Sequence, residues 1–290
     1  MQHIRRHPTA KLVVAPMVLA MLACFYAPIL WTAYISFTRS GMFPSYQLDG
    51  LAQYWRLFAT ERWHTAFANM LVFGVLFVAF ALSLGTLLAI AIDQKIRFEG
   101  FFRTILLYPL SMSFIVTGLA WQWFLNPSMG FQNLVRQAGW DGFTFDWIIR
   151  PDRAIYTIVL AAVWHSSGLV MAIMLAGLRG VDPDIWRATR IEGIPRWRTY
   201  ASVVLPLLRP VVVSCVVLLV INVVRSYDLV VAMTKGGPGT ATDVPGKFVV
   251  DMAFERANIG QASAAAVIML LTVIAAVMPY FYIETRRTGR

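Results

Sequence analysis

Residues 154–178 read AIYTIVLAAVWHSSGLVMAIMLAGL, and between Arg153 and Arg179 these 25 positions hold no Asp, Glu, Lys or Arg. A helix rising about 1.5 Å per residue needs roughly 20 apolar residues to cross a hydrocarbon core of about 30 Å. This stretch is therefore long enough to span a bilayer. The same holds for the gaps from Lys11 to Arg39, Arg62 to Asp93, Arg103 to Arg136 and Arg256 to Glu284, each at least 25 residues long. A sixth stretch, Arg209 to Lys235, is broken only by Arg225 and Asp228. Because lipid leaves no backbone polar group satisfied in an open strand, all six are predicted as helices. They cover roughly 12–37, 66–92, 104–125, 154–178, 207–232 and 262–283. The expected fold class is an all-α integral membrane protein, a bundle of six transmembrane helices.

Composition agrees with that reading. The 290 residues are 58% apolar and 14% charged, against about 45–50% and about 25% for soluble domains. The formal charge of +10 does not point to nucleic acid, because that partner needs a basic face on a polar domain and none can be built here. Its meaning lies in orientation. Alternating sides from the N-terminus puts 15 Lys/Arg on one side and 9 on the other, with Arg225 inside a span. The positive-inside rule makes the richer side cytoplasmic. Residues 1–11 and 284–290 are then cytoplasmic termini, 12–283 the transmembrane domain, and 179–209 a cytoplasmic loop.

Met21-Leu22-Ala23-Cys24 is similar to a lipoprotein cleavage site, but apolar residues continue to Phe37, beyond the about 7–15 of a signal peptide. An uncleaved first span is expected. Cys24 and Cys215 both fall within spans and read as packing residues rather than a disulfide. Trp31, Trp63, Trp121, Trp123 and Tyr282 sit near span ends, where amphipathic rings meet lipid headgroups.

The loop 179–209 carries the strongest local signals. Asp182 is a good N-cap, Pro183 suits the first helical position, and Asp184 favours the helix dipole. The spacing predicts a short helix through Trp186, Ala188, Arg190 and Ile191 that stops at Gly193, with Pro195 beyond. A second short helix follows through Trp197 and Tyr200 to Leu205-Pro206. Displaying Trp186 and Ile191 to water is costly unless they meet something. Composition leaves two occupants open: a docking partner, or the lipid surface favoured by Arg187, Arg190, Arg196 and Arg198.

No nucleotide site is visible. Lys235-Gly236-Gly237-Pro238-Gly239 lacks the Gly-Lys-Ser/Thr ending of a P-loop, and Gly246-Lys247 is followed by Phe248. Only His3, His7, His64 and His165 are present, without a His-Glu-x-x-His, and no pair of intramembrane aspartates exists, so neither a metal site nor a catalytic residue is expected. His165, within the polar island Trp164-His165-Ser166-Ser167-Gly168, reads as an interhelical hydrogen-bonding group. Asn69, Ser111, Ser113 and Thr117 are likewise assigned to packing.

Arg225 and Asp228 need a reason to be inside a span, since an intramembrane charge costs several kcal/mol unless it faces protein or water. On a straight fifth helix, Ser214, Asn222, Arg225, Ser226 and Asp228 share one face. Asn222, Arg225, Ser226, Tyr227, Asp228 and Trp164 are therefore candidates for a solute path, with amide, hydroxyl and carboxylate groups for sugar hydroxyls and rings for a pyranose face. The bland alternative is that Arg225 and Asp228 pair with each other.

Trp186-Arg187-Ala188-Thr189-Arg190-Ile191-Glu192-Gly193, with Leu205-Pro206, resembles the EAA loop of binding-protein-dependent ABC importer permeases. Phe102-Arg103-Thr104 with Tyr108-Pro109, Trp121-Gln122-Trp123, and Gly130-Phe131-Gln132-Asn133-Leu134 are similar to the carbohydrate-importing branch. So are Tyr227-Asp228-Leu229-Val230 with Thr234 to Gly239, and Gly260-Gln261-Ala262-Ser263-Ala264. The resemblance implies one of two membrane subunits of a sugar importer in the cell inner membrane, with a cytoplasmic coupling helix. It implies a second permease subunit, two ATP-binding subunits that hold the ATP and Mg, and a periplasmic or lipid-tethered sugar-binding protein. Docking to the ATPase carries over to Trp186, Ala188, Ile191 and Gly193. The family's Glu is Arg187 here, which inherits no role. The resemblance of residues 244–264 and of Leu175-Ala176-Gly177-Leu178-Arg179-Gly180-Val181 to that branch implies glucose-like hexoses or glucosides. The rival reading, an ion-coupled secondary transporter, would show inverted repeats and discontinuous helices, and neither is expected.

Overall fold

The computed structural model describes residues 8–94 and 96–288, with side chains over 14–94 and 96–278. The expectations for residues 1–7 and for the Tyr282 side chain lie outside what is described. Secondary structure is almost wholly helical, the β content among the described residues being one isolated bridge, Thr38 to Leu48.

The first expected span appears as α1 (Pro8–Met21), a π-turn over Leu22–Tyr26, and α2 (Ala27–Ile35). A short α3 (Ala52–Phe58) precedes α4 (Glu61–Asp93), and the third region contains α5 (Glu99–Leu107) and α6 (Phe114–Phe124). After α7 (Phe131–Gln137) comes α8 (Ala154–Arg179), then α9 (Pro183–Ile191). α10 (Arg196–Leu207) leads to α11 (Arg209–Val224) and α12 (Tyr227–Thr234), and α13 (Pro245–Val250) and α14 (Ile259–Thr288) complete the chain. Among the described residues, four stretches are long and apolar enough to cross a membrane unbroken, namely Val14–Ile35, α4, α8 and Ile259–Met278.

The other two expected spans are not single helices, which corrects the expectation of unbroken ones. Glu99–Ser111 and Phe114–Phe124 meet at 101°, and Arg196–Leu207 and α11 at 74°. The causes are local. Pro109 has no N–H to continue a helix, Met112 is extended at φ −83°, ψ 150°, and Ser113 caps α6 by accepting from the Val116 N–H at 3.3 Å. At the second bend Leu208 leaves helical geometry (φ −83°, ψ 11°) between Pro206 and Pro210. A further interruption separates α11 from α12, where the Ser226 N–H bonds to the Val223 carbonyl at 3.3 Å, three residues back. The single straight wheel expected over 207–232 therefore ends at Val224.

The chain divides into two compact units: residues 1–61 with 248–270, and residues 62–247 with 271–290. In the first, the Gln53 amide donates to the Thr38 carbonyl at 3.0 Å, and the N–H groups of Ile259 and Gly260 bond to the carbonyls of Gly41 and Ser40 at 3.1 and 3.0 Å. In the second, α8 is the central helix, with 72% of its apolar window buried against 28% for α4. Its Ile158, Ala161, Met171, Met174 and Leu178 share a core with Phe73, Phe77 and Ala81 of α4 and with Leu219, Leu229 and Val230. Trp63 is 1% exposed and belongs to a buried interior rather than to a headgroup belt, whereas Trp31 and Trp123 are exposed. Cys24 and Cys215 are both free thiols.

Candidate functional site

At its C-terminal end α8 gives way to three non-helical residues, and α9 starts as the sequence predicts. Asp182 accepts from the Asp184 N–H at 2.8 Å, and Pro183 takes the first position. A cap of this kind is worth about 1 kcal/mol. The helix stops because Gly193 turns left-handed at φ +68°. The Ile194 N–H then reaches the Thr189 carbonyl at 3.0 Å and the Gly193 N–H that of Arg190 at 3.1 Å, satisfying carbonyls that a helix end otherwise leaves open.

The two faces of α9 differ. Thr189 is buried, and the half-buried Trp186 sets its ring edge-on to Tyr200 with centroids 5.2 Å apart. Ala188 and Gly193 are exposed, and Ile191 is 87% exposed. Of the four expected docking residues, three lie outward and Trp186 packs against the chain's own core. Arg187 forms an exposed ion pair with Asp184 at 2.7 Å, a contact that contributes little in water.

Behind α9 lies a cleft of about 380 Å³ bounded by Asp93, Gln94, Trp186, Arg190, Arg196 and Tyr200. Across it runs a polar chain the sequence does not announce. Arg196 Nη1 donates to Gln94 Oε1 at 3.1 Å, Gln94 Nε2 donates to the Tyr200 hydroxyl at 2.9 Å, and that hydroxyl donates to Asp93 Oδ2 at 3.0 Å. Burial, then the neighbouring Asp93 carboxylate, push the Tyr200 phenol up to about 12. Nearby, Arg179 at the end of α8 bonds to Glu99 at the start of α5 at 2.6 Å. The signals for these partners are absent from the local sequence because Tyr200 and Asp93 are 107 positions apart.

The intramembrane candidates are less gathered. Asn222 and Tyr227 are half-buried, Arg225 and Asp228 are exposed, and Ser226 is buried with its carbonyl accepting from the Val230 N–H at 3.1 Å. Among the described residues no ion pair joins Arg225 to Asp228. Trp164 packs edge-on against Trp121 at 5.9 Å rather than against the 222–228 group. His165 is 5% exposed, with Nδ1 3.1 Å from Thr117 Oγ1 and its ring 4.4 Å from Phe114, which is the interhelical role expected. α6 and α12 pack backbone to backbone, since a Cβ on Gly118 would stand 2.5 Å from Ala232 Cβ.

At the opposite end of α8, about 39 Å away for 26 residues at about 1.5 Å each, a cleft of about 420 Å³ is lined by Gln122, Asn126, Ile149, Met233, Lys235 and Pro238. The glycine loop beside it is pinned from below. Asp243, 1% exposed, is ion-paired to Arg62 and lies 3.6 Å from Lys247. Asn69 donates to the carbonyls of Ala241 and Asp243, both at 2.9 Å. Gly236, at φ +87°, leaves room for the Asp243 carboxylate, 2.2 Å from where a Cβ would be. Two cations on one buried carboxylate offset its desolvation. Asn69, read as packing, thus has the definite task of holding this loop.

α9 thus shows an outward apolar tip at one end of α8, and a pinned glycine loop lies toward the other. Residues 81–288 match the family described as the binding-protein-dependent transport system inner membrane component. The chain belongs to that family. A probable ABC transporter permease protein of Pyrococcus horikoshii is 36% identical to this permease over 96% of the chain and 97% of that protein. The xylose/arabinose import permease protein XacH of Haloferax volcanii is 32% identical over 85% and 78%. The crystal structure of a bacterial ABC transporter that imports the acidic polysaccharide alginate contains a chain of the same fold. It has a TM-score of 0.82 and 19% identity over 98% of this permease and 97% of that chain. The permease is accordingly a multi-pass protein of the inner membrane and a transport component of a binding-protein-dependent ABC system.

Proposed function

We propose that this permease is one of two membrane subunits of an ATP-driven sugar importer, and that α9 is the coupling helix seated in a cleft of a cytoplasmic ATP-binding subunit. The observation that carries the reading is the outward apolar tip of α9: Ile191 is 87% exposed on a helix fixed at both ends by a cap and a glycine turn. With Trp197 72% exposed on the following helix, the segment displays more than a single scattered apolar side chain, the kind of surface a partner covers. ATP-driven closure of two such subunits displaces α9 and exchanges inward for outward access. Ala188 and Gly193 form the contact with Ile191, and Trp186 anchors the helix from behind. ATP and Mg belong to the partner chains.

In this reading the bundle has six spans at the stretches expected from the sequence, with both termini cytoplasmic and Tyr200 in the cytoplasmic loop 179–209. The cleft beside Lys235 then faces the extracytoplasmic sugar-binding protein, and Asn222, Tyr227 and Asp228 offer groups to sugar hydroxyls. The named relatives support a carbohydrate cargo: besides the xylose/arabinose permease, the trehalose/maltose transport system permease protein MalF of Thermococcus litoralis is 29% identical over 91% of the chain. We retain a hexose or glucoside as the expected substrate.

The test is cross-linking from Ile191→Cys in the assembled complex, together with ATP hydrolysis stimulated by a panel of glucose, maltose, trehalose, xylose and glycerol 3-phosphate presented with the binding protein. A cross-link to the ATP-binding subunit and stimulation by a sugar are expected. Uptake by the permease alone, driven by an ion gradient, would refute the proposal.

A further inference from the structure

We infer that Tyr200 is a positioning residue that makes the coupling segment a rigid strut, so that displacement of α9 reaches α4 directly as well as the helices continuous with the loop; this rests on the coupling reading above. α9 is a nine-residue helix joined to its neighbours through non-helical residues at Gly180–Asp182 and at Glu192–Pro195. Held by its chain ends alone, it would pivot about the line between them, and motor closure would be absorbed as rotation. Tyr200 blocks that pivot because one side chain touches both bodies. Its ring lies against Trp186 on α9, and its hydroxyl is bound by Asp93 and Gln94 at the end of α4.

The hydrogen bonds run in one direction, from Arg196 through Gln94 and Tyr200 to the Asp93 carboxylate. The phenol oxygen thus accepts one bond and donates one, and bonds in such a series polarise and strengthen each other. α4 is in turn not free to follow passively. Gly85 lets α8 approach so closely that a Cβ there would lie 2.5 Å from Val170 Cβ and 2.8 Å from the Ser167 carbonyl. α4 packs on α8, α8 leads by chain into α9, and α9 returns to α4 through Tyr200. A triangle closed on three sides transmits displacement, whereas one left open bends at its corners.

The experiment uses the complete transporter in proteoliposomes, with Tyr200→Phe and Asp93→Asn, and the sugar of the panel that best stimulates hydrolysis. Phenylalanine keeps the ring and removes both hydroxyl bonds, shifting the tied-to-released ratio by roughly an order of magnitude. The expected result is that sugar moved per ATP falls several-fold while hydrolysis continues and Ile191→Cys still cross-links to the ATP-binding subunit. With the native free thiols removed by Cys24→Ser and Cys215→Ser, nitroxides at Ile191→Cys and at Leu87→Cys on α4 should give a narrow distance distribution with tyrosine and a broad one with phenylalanine, whatever the sugar. An unchanged ratio and an equally narrow distribution, with the cross-link intact, would overturn the strut and leave the docking reading standing. Transport and hydrolysis falling in proportion, with a lowered melting temperature, would show a merely structural tyrosine and also overturn it. Absence of the cross-link in the protein that retains Tyr200 would remove the docking reading and this inference with it.

Discussion

Gly168 of α8 lies so close to Leu106 that a Cβ on it would stand 2.2 Å from the Leu106 carbonyl oxygen and 3.1 Å from its carbonyl carbon. The obstacle is backbone, so no rotamer change relieves it, and α8 meets the end of α5 only because position 168 has no side chain. Gly168→Ala should destabilise the permease by about 1–3 kcal/mol or block its assembly. Gly142→Ala, where nothing lies within 4 Å, is the control. Thermal unfolding in detergent and the yield of complex read the difference; equal stability of the two variants would refute the packing argument.

Gly193 presents the opposite situation. Nothing lies within 4 Å of its built Cβ, yet its φ is +68°, so a substitution there is opposed by backbone conformation alone. Gly193→Ala should cost about 1 kcal/mol, and Gly193→Asn much less, because asparagine tolerates the left-handed region. Gly193→Val should misdirect the exit of α9 and lower sugar-stimulated ATP hydrolysis while membrane insertion stays normal. The ordering Gly, Asn, Ala, Val in stimulated hydrolysis is the signature to look for.

Thr117 and His165 form a buried pair 3.1 Å apart. Thr117→Val keeps the shape and leaves the imidazole Nδ1 without that partner, at a cost of about 1–3 kcal/mol. Thr117→Ser should restore most of the loss. A melting temperature indifferent to all three residues at 117 would remove the pair as a stabilising element.

Tyr200 predicts a pH dependence with a definite sign. Its folded-state value of about 12 lies above the ordinary 10.0, so the folded state holds the phenolic proton more tightly. The associated stability is fully present below pH 10 and is lost as the pH rises toward 12. Wild type should therefore lose more stability than Tyr200→Phe across that interval, and the two should run parallel between pH 6 and 9. The pH dependence of thermal unfolding for both proteins measures it.

Asp228 is exposed and not ion-paired with Arg225, so its removal leaves no pair half-broken. Asp228→Ala should change which sugars stimulate hydrolysis before it changes assembly. An unaltered selectivity profile, with normal amounts of complex, would take Asp228 out of the solute path.

Much of this was legible in the sequence because its causes are local. The uncharged runs, the Asp182 cap and the Gly193 stop act within a few residues, and α4, α8 and α9 appear where uncharged runs and capping put them. The bends at Met112 and Leu208 had local warnings in Pro109, Pro206 and Pro210, but a long apolar run masks a break when only charge is counted. The straight wheel drawn through Arg225 failed for the same reason.

By itself the sequence determined that the chain lives in lipid, how many apolar runs it has, and where a capped, apolar-tipped helix interrupts them, since hydrophobic burial and helix termination act on neighbours. Only the tertiary structure decided that Trp186 turns inward while Ile191 stays out, that Asp243 is held by Arg62, and that Tyr200 reaches Asp93. Those contacts join positions more than 100 residues apart in the last two cases, and no periodicity along the chain encodes which distant side chain will satisfy a buried polar group.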